Sequence, residues 1–185
     1  MAILIEAAVA GLEDAKTAAA SGADRLELCS ALELGGLTPS LGTFLAAKEA
    51  VSIPIVTMIR PRGGGFVYSA LDLAVMERDA ELFLSNGAAG IVFGFLTAER
   101  KLDARRTGPF VRMAGGRQTV CHRAFDLVSD QSEALEELID CGVTRVLTSG
   151  GEASAPAGTE RISLLVTKMS FISKVLNPDI CTDSV

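Results

Sequence analysis

The chain is 185 residues long, 49% hydrophobic and 22% charged, which fits one domain able to bury a core and excludes a disordered tail. Its 17 basic residues against 23 acidic ones leave a net charge of −6, and Tyr68 is the only tyrosine beside no tryptophan; a nucleic-acid partner, which needs a basic or aromatic surface, is therefore not expected. No uncharged apolar run reaches the roughly 18 residues of a membrane span, so a membrane is not expected either.

In chain order, short β-like runs alternate with helical ones. The start, MAILIEAAVAGLEDAK, has no basic residues ahead of its apolar stretch, and Glu6 interrupts that stretch; it reads as the start of a mature cytosolic protein. A strand over residues 2–9 is followed by the helical GLEDAKTAAASG, closed by Gly22 as a C-terminal cap. A second strand spans residues 23–31, then the loop LELGGLTPS, with Ser40 as N-cap of the helix LGTFLAAKEAV. A third strand spans 53–61, followed by the glycine-rich RGGGFVYS and a helix over 70–86. The fourth strand covers 88–96, and the helix after it, around 105–114, is interrupted by Gly108-Pro109. The fifth strand covers 117–125, its helix 131–141, and the sixth strand 143–149. The stretch GGEASAPAGTERISLLV leads into one more helix start. Residues 1–165 are expected to form a partial barrel domain and residues 166–185 a divergent tail.

Six βα units in a row predict a parallel sheet with helices outside. An open doubly wound sheet and a closed (β/α)8 barrel compete. Strands of an open sheet, covered on both faces, read as continuous apolar runs; here Arg25 and Glu27, Arg60 and Arg62, and His122 and Asp126 put charges at alternate positions. No GxGxxG dinucleotide fingerprint follows the first strand. The expected fold is α/β, a (β/α)8 TIM-barrel type that is incomplete, since a full barrel takes about 250 residues. Strands one and six are then left with open edges.

Alternation places Arg25, Glu27 and Cys29 on one strand face, Met58, Arg60 and Arg62 on another, and His122 and Asp126 on a third. If these faces point inward, they build a polar mouth at the strand ends; paired as salt bridges, the same charges would instead fix barrel register. Arginine outnumbers lysine 12 to 5, and Arg25, Arg60, Arg62 and Arg123 suit a small anion. Thr148, Ser149 and Gly150 in TSGG add hydroxyls and amides at the same mouth, as an anion nest or a plain βα turn. His122, the sole histidine, with Glu27 and Asp126, are candidates for proton transfer. Cys29, Met58 and His122 are soft ligands of the kind Cu(I) prefers. An electropositive neighbour would make Cys29 more reactive by lowering its thiol pKa. The four cysteines, Cys29, Cys121, Cys141 and Cys181, form no CxxC pair and read as reduced thiols.

The strings ELCSALELGGLTPSLG from Glu27, MIRPRGGGFVYS from Met58, HRAFD from His122 and RVLTSGG from Arg145 together resemble the CutC family of copper homeostasis proteins. The resemblance covers about residues 3 to 160. It implies a (β/α)8 barrel, a cytoplasmic protein, homo-oligomers in the full-length form and a Cu(I)-binding role, with copper as the metal and Cys29 as its best ligand. The family usually carries a cysteine soon after the first-strand glutamate, where this chain reads Glu6-Ala7-Ala8, and it continues through two further strands. Three functions remain open: Cu(I) handling through Cys29, Met58 and His122; a barrel enzyme acting on a small anionic substrate; and a non-functional or regulatory short form.

Overall fold

The computed structural model describes residues 3–176; Cys181 and the last part of the expected tail, 177–185, lie outside the described residues. Six parallel strands pair in chain order: β1 (Glu6–Val9), β2 (Arg25–Leu28), β3 (Ile55–Met58), β4 (Gly90–Phe93), β5 (Gln118–Cys121) and β6 (Arg145–Val146). The order never reverses, as it would at the switch point of a doubly wound sheet, so the barrel-type expectation holds. The sheet is curled: from β6, Arg145 reaches across the interior to Glu6 on β1, Nη1 to Oε2 at 2.8 Å.

The strands are shorter than their apolar runs, because the ends of those runs belong to the connecting loops. Six helices cover the outer face: α1 (Leu12–Ala20), α2 (Leu41–Ala50), α3 (Ala70–Ser85), α4 (Ala104–Ala114), α5 (Gln131–Cys141) and α6 (Thr159–Leu176). The starts of α2, α3, α4 and α5 carry side-chain caps. Ser40 caps α2, Ser69 and Asp72 close a reciprocal capping box on α3, and Asp130 caps α5. Helix α4 runs through Gly108-Pro109, held by its Asp103 cap and by buried Thr107, Phe110 and Ala114. Helix α6 spans the 165/166 boundary without a break and seats Leu165 in the core.

Alternation divides each strand between two layers. Leu26, Leu28, Ile55, Ile59, Ile91 and Phe93 pack outward with Phe44, Phe83 and Phe110 under the helices. Cys29, Val56, Met58, Val92 and Val120 form a separate inner cluster. Cys121 faces outward, among Phe125, Leu135 and Leu138. One site residue departs from the strand pattern. β5 stops at Cys121, and His122 caps a 3-10 turn over Arg123–Leu127, so Asp126 lies on that turn and not on the strand face of His122.

Candidate functional site

The inward polar residues form two groups at opposite ends of the strands. Arg25 opens β2, in register with Glu6 at the start of β1. Its Nε is ion-paired with Glu6 Oε2, which also receives Arg145; Arg145 Nη2 donates in turn to Gln118 Oε1 at 2.8 Å. This cluster closes the N-terminal end of the half-barrel, where barrels build stability. Arg25, expected in the anion-binding mouth, belongs here instead: sharing a strand face with Glu27 does not give it the same depth.

The other end opens into a cavity of about 440 Å³ lined by Glu27, Cys29, Met58, Arg60, Phe66, His122, Arg123 and Asp126, with Ala8 on β1 and the loop residues Leu32, Leu34, Gly35 and Gly36. Glu27 is only 5% exposed. Burial, reinforced by the Glu6 carboxylate, raises its carboxyl from 4.5 to about 7, against the lowering effect of the Cys29 hydrogen bond. The Cys29 thiol donates to Glu27 Oε1 at 3.6 Å. Burial first, and then the Glu27 charge, push that thiol well above its ordinary range. The electropositive setting that would activate Cys29 is therefore absent: a carboxyl is its neighbour, and the thiol stays protonated and unreactive in the free protein.

Cys29 and Met58 lie side by side at the cavity floor, beneath Gly36. A Cβ on Gly36 would come within 3.2 Å of Cys29 Sγ and 3.4 Å of Met58 Cε, so the loop backbone rests on both side chains. His122 is also buried, but is arranged differently. Its Nδ1 accepts the Ala124 backbone N–H at 3.2 Å, which puts the ring proton on Nε2; Nε2 has no hydrogen-bond partner. Burial, and then the Arg60 charge, lower its pKa from 6.5 to about 3, so the ring is neutral near pH 7. Its edge fits against Gly94, where a Cβ would lie 2.7 Å from Cε1 and Nδ1. With one nitrogen engaged and the other protonated, His122 offers a ligand an N–H, not a metal-binding lone pair. Among the described residues no three of His, Cys, Asp and Glu gather to hold a metal ion. The soft donor set in this geometry is Cys29 with Met58.

The remaining candidates are engaged by the protein. Arg62 gives its Nε and Nη2 to Asp72 Oδ2 and its other donors to the carbonyls of Gly63, Gly65 and Val67. It holds the glycine-rich loop and does not line the cavity. The TSGG segment is an anion nest already filled from within: Thr148 Oγ1, the Ser149 amide and hydroxyl, and the Gly151 amide all donate to the Asp126 carboxylate, while Gly150 N–H donates to Thr148 Oγ1. Burial alone would raise the Asp126 pKa; these donors, with Arg123 Nε at 2.9 Å, hold it below the usual carboxylate range. Thr148, Ser149 and Gly150 thus fix Asp126 and, through it, Arg123. The sequence reading missed Gly36, Gly94 and Phe66, although the paired glycines of LELGG are the signal for a backbone lying close on side chains.

A curled parallel βα sheet with a side-chain-lined cavity at the C-terminal ends of its strands defines the molecule as a (β/α)-barrel-type protein with its cavity at the mouth, the end at which such barrels carry their sites. The CutC family model matches residues 3–176, and the chain belongs to the CutC family. A family protein CutC of Treponema denticola is 46% identical over 166 residues, covering 90% of this chain and 68% of that protein. The copper homeostasis protein cutC homolog of Homo sapiens is 44% identical over 163 residues, 88% of this chain and 60% of the human one. The chain thus spans about two thirds of the length of such relatives. A CutC crystal structure from Streptococcus agalactiae superposes with a TM-score of 0.85 at 32% identity, covering 90% of this chain and 83% of that one. Oxaloacetate acetylhydrolase, at a TM-score of 0.59 and 17% identity, shares the fold alone.

Proposed function

We propose that the protein binds and hands on Cu(I) as cargo, through the Cys29 thiolate assisted by Met58, in the cytoplasm, where a free thiol stays reduced. The observation that carries this reading is the placement of both side chains at one point of the cavity floor, against Gly36. Thiolate and thioether are the soft donors that select Cu(I). Charge supports the same choice. A bare thiolate is penalised by burial at Cys29, but a Cu(I)–thiolate unit is neutral and escapes that penalty, whereas a divalent ion there keeps a buried positive charge. Membership of a copper homeostasis family supports the reading from outside the chain.

The test is an anaerobic titration of Cu(I) against a chromophoric chelator. Wild type takes up one equivalent, Cys29→Ala takes up none, and Met58→Leu binds more weakly. Uptake unchanged in Cys29→Ala rejects the reading. Ala8 lines the same cavity and is in register with Glu27, so Ala8→Cys adds a second thiolate there and tightens binding by more than about tenfold.

A second reading rests on the size of the cavity. About 440 Å³ is room for a small organic molecule, and the spare N–H of His122 together with the half-exposed Arg123 suits an anionic one. In this reading Glu27 and His122 serve its chemistry. A thermal-shift screen of small carboxylates checks it: a stabilising ligand whose effect vanishes in His122→Phe supports it, and no stabilisation by any of them counts against it.

A further inference from the structure

Residues 31–37, Ala-Leu-Glu-Leu-Gly-Gly-Leu, form a strap across the cavity floor. Its base is closed by the antiparallel bridge between Ser30 and Leu37. Ala31 is held at φ 48°, and Gly35 and Gly36 both at φ 83°, a left-handed run that a β-carbon disfavours. Each glycine also makes room for a particular side chain. A Cβ at Gly35 would meet Arg60 Nη1 at 3.3 Å, and one at Gly36 would meet Cys29 and Met58. The strap therefore lies on both sulfur side chains, leaving Cys29 1% exposed and Met58 2% exposed. Both residues line the cavity, but the strap leaves so little of either surface bare that a ligand engages the sulfurs fully only when the strap lifts.

Arg60 holds the strap down. It is itself 5% exposed. Its Nη1 donates to Leu34 O at 2.8 Å and to Gly36 O at 3.0 Å, and its Nη2 donates to Gly64 O, on the next loop, at 2.9 Å. The Phe66 ring packs 4.9 Å from the guanidinium carbon, and the Arg60 main chain is fixed by reciprocal bonds with Thr38. One planar fork thus satisfies three carbonyls from two loops, which an ammonium group on a lysine stem matches poorly. Arg60 entered as an anion ligand; its hydrogen bonds go to the protein's own backbone.

We propose that Arg60 is a positioning residue, the latch of this strap: its guanidinium keeps residues 31–37 on the Cys29–Met58 pair, and releasing it opens the sulfurs to a ligand while the barrel stays folded. Naming Cu(I) as that ligand rests on the function proposed above; the latch itself does not.

The experiment is peptide-resolved alkylation by iodoacetamide of the full chain in wild type, Arg60→Lys and Arg60→Met. Cys121 is as buried as Cys29, 1% exposed, but it faces the outer layer under α5 and serves as the internal control. Arg60→Met is expected to speed Cys29 alkylation at least about tenfold with Cys121 unchanged, Arg60→Lys falling between, because a local opening exposes only the residues it uncovers. Equal acceleration at both cysteines, or none at Cys29, overturns the latch. Should Arg60→Met lose its cooperative melt, Gly36→Ala lifts the strap with Arg60 intact, and the same selective gain at Cys29 is required. In Cu(I)-loaded protein, Arg60→Met also speeds transfer of the metal to a chelator. A wild type that takes up no Cu(I) defeats the copper reading and leaves the alkylation result to decide the latch.

Discussion

The two ends of the half-barrel solve the same problem, polar groups turned toward the interior, in opposite ways. At the N-terminal end Glu6 is shared by Arg25 and Arg145, with Gln118 completing the set. Charge meets charge, and of this cluster only Arg145 Nε is left buried without a partner. At the mouth, Glu27 and His122 are held near or below the edge of ionisation by burial, Cys29 keeps its proton, and His122 Nε2 has no partner. The difference teaches where to look for function in such a barrel: at the neutral, partly unsatisfied groups and not at the largest concentration of charge.

Breaking the paired end carries the largest expected effect. Glu6→Gln leaves Arg25 and Arg145 facing each other without their anion, and urea unfolding should show a loss of about 3 kcal/mol, with Cu(I) uptake by the surviving fold unchanged. A loss under about 0.5 kcal/mol, the range of a surface pair, would show that this cluster does not brace the strands.

The mouth is broken by pH. Glu27 titrates near 4.5 in an unfolded chain and near 7 in the fold. Between those values the fold keeps a proton that the unfolded chain has lost, so stability falls as pH rises through the window. His122 runs the other way. It titrates near 6.5 unfolded and near 3 folded; its contribution is complete above 6.5 and is lost as pH falls toward 3. The two oppose each other between 4.5 and 6.5. Glu27→Gln removes the falling limb, so the variant should gain stability steadily up to pH 6.5, then stay level, and exceed wild type at pH 8 by about 2 kcal/mol. Stability profiles that superimpose for the two proteins would contradict the buried, proton-holding state of Glu27.

A smaller effect separates packing from chemistry at the mouth. Gly94→Ala drives a methyl group against the His122 ring, where 2.7 Å is available, and should cost about 1–2 kcal/mol as an overpacked core does. The imidazole resonances of His122 should shift in the NMR spectrum while Cu(I) affinity holds, since His122 is outside the proposed ligand pair. A large loss of Cu(I) affinity in Gly94→Ala would bring His122 back into that pair.

Much of the architecture was legible in the sequence. The six βα units and the inward alternation through Glu27, Cys29, Met58 and His122 are written in residue periodicity, and Cys121, the neighbour of His122, lies in the outer layer as that alternation requires. Depth along the barrel was not legible. Whether Arg25 lies at the bottom or the top depends on its register with Glu6, which no single strand contains. Loop conformation was equally hidden. Asp126 leaves the strand face on a 3-10 turn, Arg62 folds back on its own glycine loop, and TSGG wraps an internal carboxylate in place of an external anion. The TSGG contacts join residues 22 to 25 positions apart, and the other two outcomes turn on local loop conformation that alternation along a strand does not encode.

X-ray absorption at the copper edge of anaerobically loaded protein tests the central claim most directly, because it reads the atoms bound to the metal. Cu(I) bound in the native cavity by Cys29 and Met58 gives a shell of sulfur neighbours without the imidazole signature of His122, and that shell disappears in Cys29→Ala. A nitrogen-dominated shell, or a sulfur shell that survives in Cys29→Ala, would contradict the site described at this mouth.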